Sequence, residues 1–228
     1  MKISLHQPNY LPYIGFFQKM ALSDVFVILD TVQFSKGSYT QRTNIRSKDG
    51  SLMLTIPINK KYNFEPIKDV RLPENDNWLN EHRLSILFHY SKCKYVDKEF
   101  INEYFSSLKK FETLQEFNEF GIFYLKDKFR IQTKIIRASE LCIDANLKST
   151  DLMIHIVESL GGDSYISGTG GKKYLEEEKF LKNNITLEYF EFRELEYPQR
   201  WKGFEPYVSA MDLLFNLGPD SIKYFNRT

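Results

Sequence analysis

At 228 residues, 42% of them hydrophobic and 15% aromatic, the chain is long enough to fold as a single domain around a substantial core. Its 31 lysines and arginines stand against 30 acidic residues, a formal net charge of +1, so no global field argues for nucleic acid or a membrane surface as partner. No apolar run approaches the roughly 20 residues of a membrane helix, and the start lacks the basic-then-apolar plan of a signal peptide, so a cytoplasmic protein is expected.

The chain opens with a β-loop-α-β pattern. Lys2 to Leu5 read as a short strand, and HQPNYLP must turn, because Pro8 and Pro12 remove backbone donors and push Gln7 and Leu11 into extended geometry. From Tyr13 the spacing becomes helical, with Ile14, Phe17 and Ala21 on one face; after Ser23 and Asp24, VFVIL reads as a parallel strand buried on both sides. In such a unit functional groups gather beyond the carboxyl ends of the strands. His6, Gln7, Asn9 and Tyr10 occupy that place and are candidate site residues.

The stretch TVQFSKGSYTQRTNIRSKDG follows, carrying Gln33, Lys36, Tyr39, Arg42 and Asn44. It reads either as a solvated connection or as an anion-binding segment, since an arginine fork suits phosphate or carboxylate. KDG signals a turn before the strand SLMLTIPI, so Phe34 to Ile58 are expected to form a hairpin added to the sheet. The polar, proline-punctuated residues after it carry no assignment.

Asn77 to Tyr90 read as a helix with Trp78, Leu84, Leu87 and Phe88 turned inward. His82 and His89 lie two turns apart, about 10 Å, too far for one metal ion. His89 reads as structural and His82 as a candidate site residue. Residues 97–129 suggest a helical hairpin, which makes 77–129 a mainly helical subregion of a single domain. Cys93 and Cys142 lack ligand spacing and read as buried thiols rather than as a disulfide or zinc site.

A strand in TKIIRASEL and a helix in TDLMIHIVESLGG come next, and DSYISGTGGKKYLEEEKFLKNNITLEYFEF repeats the opening theme of strand, loop, helix and strand, with the helix starting at Lys172. Glycines at 168, 170 and 171 let backbone amides approach an anion, with Ser167, Thr169 and Lys172 beside them; the spacing fits neither the Walker pattern nor GxGxxG. A ligand-free turn is the alternative. Near the end, Gln199, Arg200 and Trp201 either reach a ligand or anchor the tail, before a helix from Ser209 to Leu217 that stops at Gly218 and Pro219. The fold expected is α/β, a mainly parallel Rossmann-like sheet flanked by helices with a helical hairpin insertion.

HQPNYLPYIGFF, DTVQF followed by Arg42 and Asn44, ISGTGGKKYL and SAMDLLFNLGP together resemble the WbqC-like protein family over nearly the entire chain. The family-like positions are His6, Gln7, Pro8, Tyr10, Pro12, Gly15, Asp30, Gln33, Arg42, Asn44, Ser167, Gly168 and the helix bearing Asp212; Tyr39 departs, standing where a tryptophan is expected. The resemblance implies a place in bacterial O-antigen (lipopolysaccharide) and related surface-polysaccharide pathways, where amino sugars are built on nucleotide carriers. A weaker similarity of architecture, strand, loop, helix and strand with a later Ser-Gly loop before a helix, links the chain to nucleotidylyltransferase-like enzymes such as pantothenate synthetase, although the two histidines that would stabilise the transferring phosphate are absent, with Pro12 and Gly15 near those places.

Three functions follow as expectations. In the first, the protein transfers an acyl or aminoacyl group to the amino group of a nucleotide-linked amino sugar, with His6 as base, Asp30 orienting it or sharing the base role, and Gln7 and Asn9 facing the oxyanion; an adenylate, a thioester or an aminoacyl-tRNA is the donor, and no cofactor is firmly implied. The second is a non-catalytic nucleotide-sugar-binding or scaffold protein. The third is nucleotidyl transfer with ATP and magnesium.

Overall fold

The computed structural model describes residues 1–144, 146–193 and 195–225. Its centre is strand β1 (Lys2–His6), followed by helix α1 (Ile14–Ala21) and strand β2 (Val25–Ile28). An antiparallel hairpin of β3 (Arg42–Ser47) and β4 (Gly50–Thr55) leads to α2 (Asn77–Tyr90), α3 (Lys98–Ser106) and α4 (Leu114–Lys128). The chain then returns through β5 (Lys134–Arg137), α5 (Ser149–Ser159), β6 (Ser164–Gly168), α6 (Glu177–Lys182) and β7 (Thr186–Phe190), and α7 (Ala210–Leu217) follows.

Among the described residues the main sheet has the order β5-β2-β1-β6-β7 with every pairing parallel. Both halves are wound outward from β1, so the order reverses between β1 and β6. That reversal is the place where α/β sheets open a crevice for ligands. Alternation assigns each strand residue to one of two cores. Phe26 and Ile28 join α1, α4, α7 and the hairpin on one face, while Ile3, Leu5, Val25 and Val27 join α5 and α6 on the other.

Four expectations need correction. The hairpin forms a separate two-stranded sheet rather than extending the main one. In α2 the buried stripe is Trp78, His82, Ile86 and Tyr90, spaced four apart, while Leu84 and Phe88 are exposed on the other side; a polar histidine on the buried stripe hides it from a reading by hydrophobicity. The glycine segment continues as a short 3-10 turn, Thr169–Lys173, and α6 starts only at Glu177. Cys142 is exposed, whereas Cys93 is buried. Among the described residues no helix is long and apolar enough to cross a membrane.

Candidate functional site

The loop from Gln7 to Tyr13 has too few regular hydrogen bonds to hold itself, and its peptide groups are satisfied from four directions. Tyr10 donates its amide to the Tyr39 carbonyl at 2.9 Å and Ala210 donates to the Pro12 carbonyl at 2.7 Å. Thr43 donates its hydroxyl to the Leu11 carbonyl at 2.8 Å. Asn118 of α4, fully buried, donates through Nδ2 to both the Pro8 carbonyl at 2.8 Å and the Thr40 carbonyl at 2.7 Å. These ties hold Leu11 at φ 41°, a left-handed conformation that a residue with a branched side chain rarely adopts unless its surroundings impose it.

The loop overhangs the point where β1 and β6 part. Their ladder ends at Ser4 opposite Ile166, although both strands run two residues further, to His6 and Gly168. The histidine and the glycine turn therefore meet at one rim of the sheet. Two adjoining cavities open there, of about 490 and 430 Å³, with His6, Tyr13, Thr169 and Phe192 lining both. Tyr13, Phe192 and Tyr207 form an aromatic wall, with ring centroids 5.1 Å (Tyr13 to Phe192), 5.7 Å (Phe192 to Tyr207) and 6.4 Å (Tyr13 to Tyr207) apart. Gly15 makes room for it: a Cβ there would stand 2.5 Å from the Tyr13 ring and 2.7 Å from that of Phe192. A flat apolar wall of this kind suits the face of a sugar or a base.

Three cationic or titratable groups set the electrostatics. His6 packs edge-on against Phe16 at 4.8 Å, and its Nδ1 lies 2.9 Å from the Gln7 carbonyl. A carbonyl only accepts, so Nδ1 carries the proton and Nε2 is left as an acceptor. Burial first, and the charge of Lys19 second, push the imidazole's pKa down to about 3, against a smaller upward pull from the Gln7 carbonyl; His6 is neutral at working pH. Lys19 is buried, donates to the Leu5 carbonyl at 2.8 Å, and is lowered by burial to about 7. Arg42 lies against Gly37, whose φ of 86° suits glycine, and its buried Nε has no hydrogen-bond partner among the described residues.

His6, Asn9, Tyr10, Tyr39, Arg42, Asn44 and Thr169 line the larger cavity, and Gln7, Ser167, Gly168 and Gly170 join His6 and Thr169 around the smaller. Five expected residues are elsewhere. Asp30 does not orient His6, because its buried carboxylate accepts the amide of Ser139 at 2.9 Å and the hydroxyl of the same residue. His82 is a core residue, bonded through Nδ1 to the Tyr10 hydroxyl at 3.0 Å and packed against Trp78 and Phe105. Gln33 is exposed and bridges to Pro66, and Lys36 is exposed with its amide on Asn63. Lys172 lies outside, paired with Glu191 at 3.2 Å and over the Tyr189 ring.

Sequence reasoning missed Lys19, Phe192 and Tyr207. Lys19 looks like an ordinary helix lysine, and only its place on the face with Phe16 and Met20 hinted at burial; the aromatic pair sits in irregular chain with no periodicity to announce it. The double-histidine clamp of nucleotidylyl transfer finds no second member at the site, since His82 is in the core and His89 and His155 line neither cavity.

The family model described as the WbqC-like protein family matches residues 7–224. The chain is also similar to the uncharacterized protein Rv1507c of Mycobacterium tuberculosis, 26% identical over 230 residues that cover 98% of each chain.

Proposed function

Starting from a chain that belongs to the WbqC-like protein family, we propose a cytoplasmic transferase of bacterial surface-polysaccharide (O-antigen) biosynthesis that forms an amide on the amino group of a nucleotide-linked amino sugar. The observation that carries the reading is His6: a neutral imidazole at the end of the central strand, its Nδ1 committed to the Gln7 carbonyl and its ring shared by both cavities. Such a group is suited to take a proton from nitrogen between two bound partners.

In this reading the sugar packs on the wall of Tyr13, Phe192 and Tyr207 while Arg42, whose buried Nε has no hydrogen-bond partner among the described residues, takes a phosphate oxygen. The sugar amine attacks the acyl carbonyl carbon, the new C–N bond forms, the bond to the donor's leaving group breaks, and the nitrogen proton passes to His6 Nε2. Gln7 accepts the Thr40 hydroxyl through Oε1 at 3.4 Å, which leaves its amide N–H groups for the developing oxyanion from the side of the smaller cavity, and Asn9 serves it from the larger. His6 is a weak base chiefly because it is buried and secondly because of the charge of Lys19; an anion bound in the cleft offsets the second of these and raises its basicity.

The test is His6→Asn, assayed by mass spectrometry for amide product across nucleotide-linked amino sugars and adenylate, thioester and aminoacyl-tRNA donors, with affinity measured in parallel. Turnover falling by about 10² to 10⁴ at nearly unchanged affinity is the expected result. If the unaltered protein gives no product with any donor and the substitution changes only affinity, the protein is a nucleotide-sugar-binding or scaffold protein. ATP-dependent pyrophosphate release with magnesium would instead point to nucleotidyl transfer.

A further inference from the structure

The smaller cavity contains a charge that the sheet itself puts there. Because the His6 carbonyl accepts from Leu29 on the β2 side, the Leu5 carbonyl faces β6, beyond the last residue at which β1 and β6 pair. Lys19 reaches from α1 into this gap and takes that carbonyl, its one hydrogen-bond acceptor among the described residues, while being only 5% exposed. An ammonium has three donors and here uses one, and no carboxylate stands within ion-pair distance of it among the described residues. A buried ammonium without a counter-charge is costly, and a carbonyl alone does not require one.

A second, independent feature points to the same space. Gly168 has an ordinary φ of −70°, and neither Gly168 nor Gly170 has a positive φ. A Cβ on either would meet nothing within 4 Å. Neither backbone conformation nor internal packing demands glycine at these positions, and both line the cavity that Lys19 lines. A side chain at either position would take up open space at the rim of that cavity. Lys172, the lysine that sequence places on this turn, is engaged outside by Glu191.

We propose that the cavity at the Thr169–Lys173 turn is an oxyanion subsite in which Lys19 supplies the charge, Thr169 supplies a hydroxyl donor, and the bare backbone at Gly168 and Gly170 lets the anion come close, while the Ser167 hydroxyl is committed to the Gly168 carbonyl at 3.0 Å. Its chemistry suits a phosphoryl group or a carboxylate, and it stands on its own geometry; only the identity of the molecule carrying the anion rests on the transferase reading. The other titratable groups lining the cavity are His6, Tyr13, Tyr165 and Tyr174, none of them acidic carboxyls.

The experiment titrates the full chain with inorganic pyrophosphate, phosphate and acetate by calorimetry, for the unaltered protein, Lys19→Met and Lys172→Met. Binding weakened at least tenfold by Lys19→Met and less than twofold by Lys172→Met is expected, with the melting temperature of ligand-free Lys19→Met equal to or above that of the unaltered protein, because a thioether of similar length fits the apolar surroundings without a buried charge. Preference for the phosphates assigns the subsite to a phosphoryl group and preference for acetate to a carboxylate; either supports the proposal. Absence of binding by the unaltered protein, or equal binding by Lys19→Met, overturns it. Should Lys19→Met fail to fold, the His6 ring signals of the unaltered protein decide by NMR: anion binding that screens Lys19 raises the pKa of His6, and a pKa that stays put under saturating anion overturns the proposal. Intact anion binding with no amide product would refute the transferase reading alone, and amide product without anion binding would refute the subsite alone.

Discussion

Replacing Asn118 by leucine removes the side-chain hydrogen bond from α4 to the Gln7–Tyr13 loop, leaving the stacking of Phe117 on Tyr10. The substitution leaves two buried carbonyls, those of Pro8 and Thr40, without the Nδ2 donor they share. Each unsatisfied carbonyl costs about 1–3 kcal/mol, so the direct loss for the two is about 2–6 kcal/mol. Part of it returns, because Oδ1 of Asn118 is itself buried without a partner, and deleting it recovers about 1–2 kcal/mol. The net expectation is about 1–4 kcal/mol of destabilisation, a fall in melting temperature of about 2–16 °C for a chain of this length. The Leu11 backbone, held in its left-handed conformation partly by this tie, is then free to relax, and affinity for any cleft ligand should fall with it. Thermal unfolding followed by circular dichroism, with pyrophosphate binding measured below the transition, checks both. A variant that melts within 1 °C of the unaltered protein, by the same scale, and binds equally well would refute the claim that α4 holds the loop in place.

Gly15→Ala places a Cβ against the Tyr13 and Phe192 rings, and the overpacking should cost about 1–3 kcal/mol in denaturant unfolding while displacing the aromatic wall and weakening sugar binding. Asp212, buried in α7, has its carboxyl pushed up to about 6, chiefly by burial, against hydrogen bonds from Tyr197, Tyr90 and Gln199 and the charge of Arg46. Its folded pKa lies above the unfolded one, so the folded chain retains a proton that the unfolded chain has lost between about pH 4 and 6, and stability should fall as pH rises through that window, by about 3 kcal/mol. Asp212→Asn should remove that slope, as denaturation midpoints measured from pH 4 to 7 will report.

Local pattern was enough to mark most of the architecture. The apolar runs at β1 and β2, the proline-bounded loop between β1 and α1, the stop of α7 at Gly218 and the second strand-turn-helix-strand unit are all written in nearest-neighbour chemistry, and they imply a parallel sheet with its working edge at the carboxyl ends. His6 and the glycine turn could be named from that logic alone, because strand direction fixes which end of the sheet each residue must reach. What needed the tertiary structure was everything decided by partners distant in the chain. Asp30 turned to Ser139 instead of His6; His82 entered the core because Tyr10, seventy-two positions away, offers it a hydroxyl; the hairpin stood apart from the main sheet. Lys19 is the clearest case. Its neighbours in α1 say nothing of its role, and the departure of β6 from β1, a property of two strands meeting in space, is what leaves a carbonyl for it to take and a cavity for it to charge.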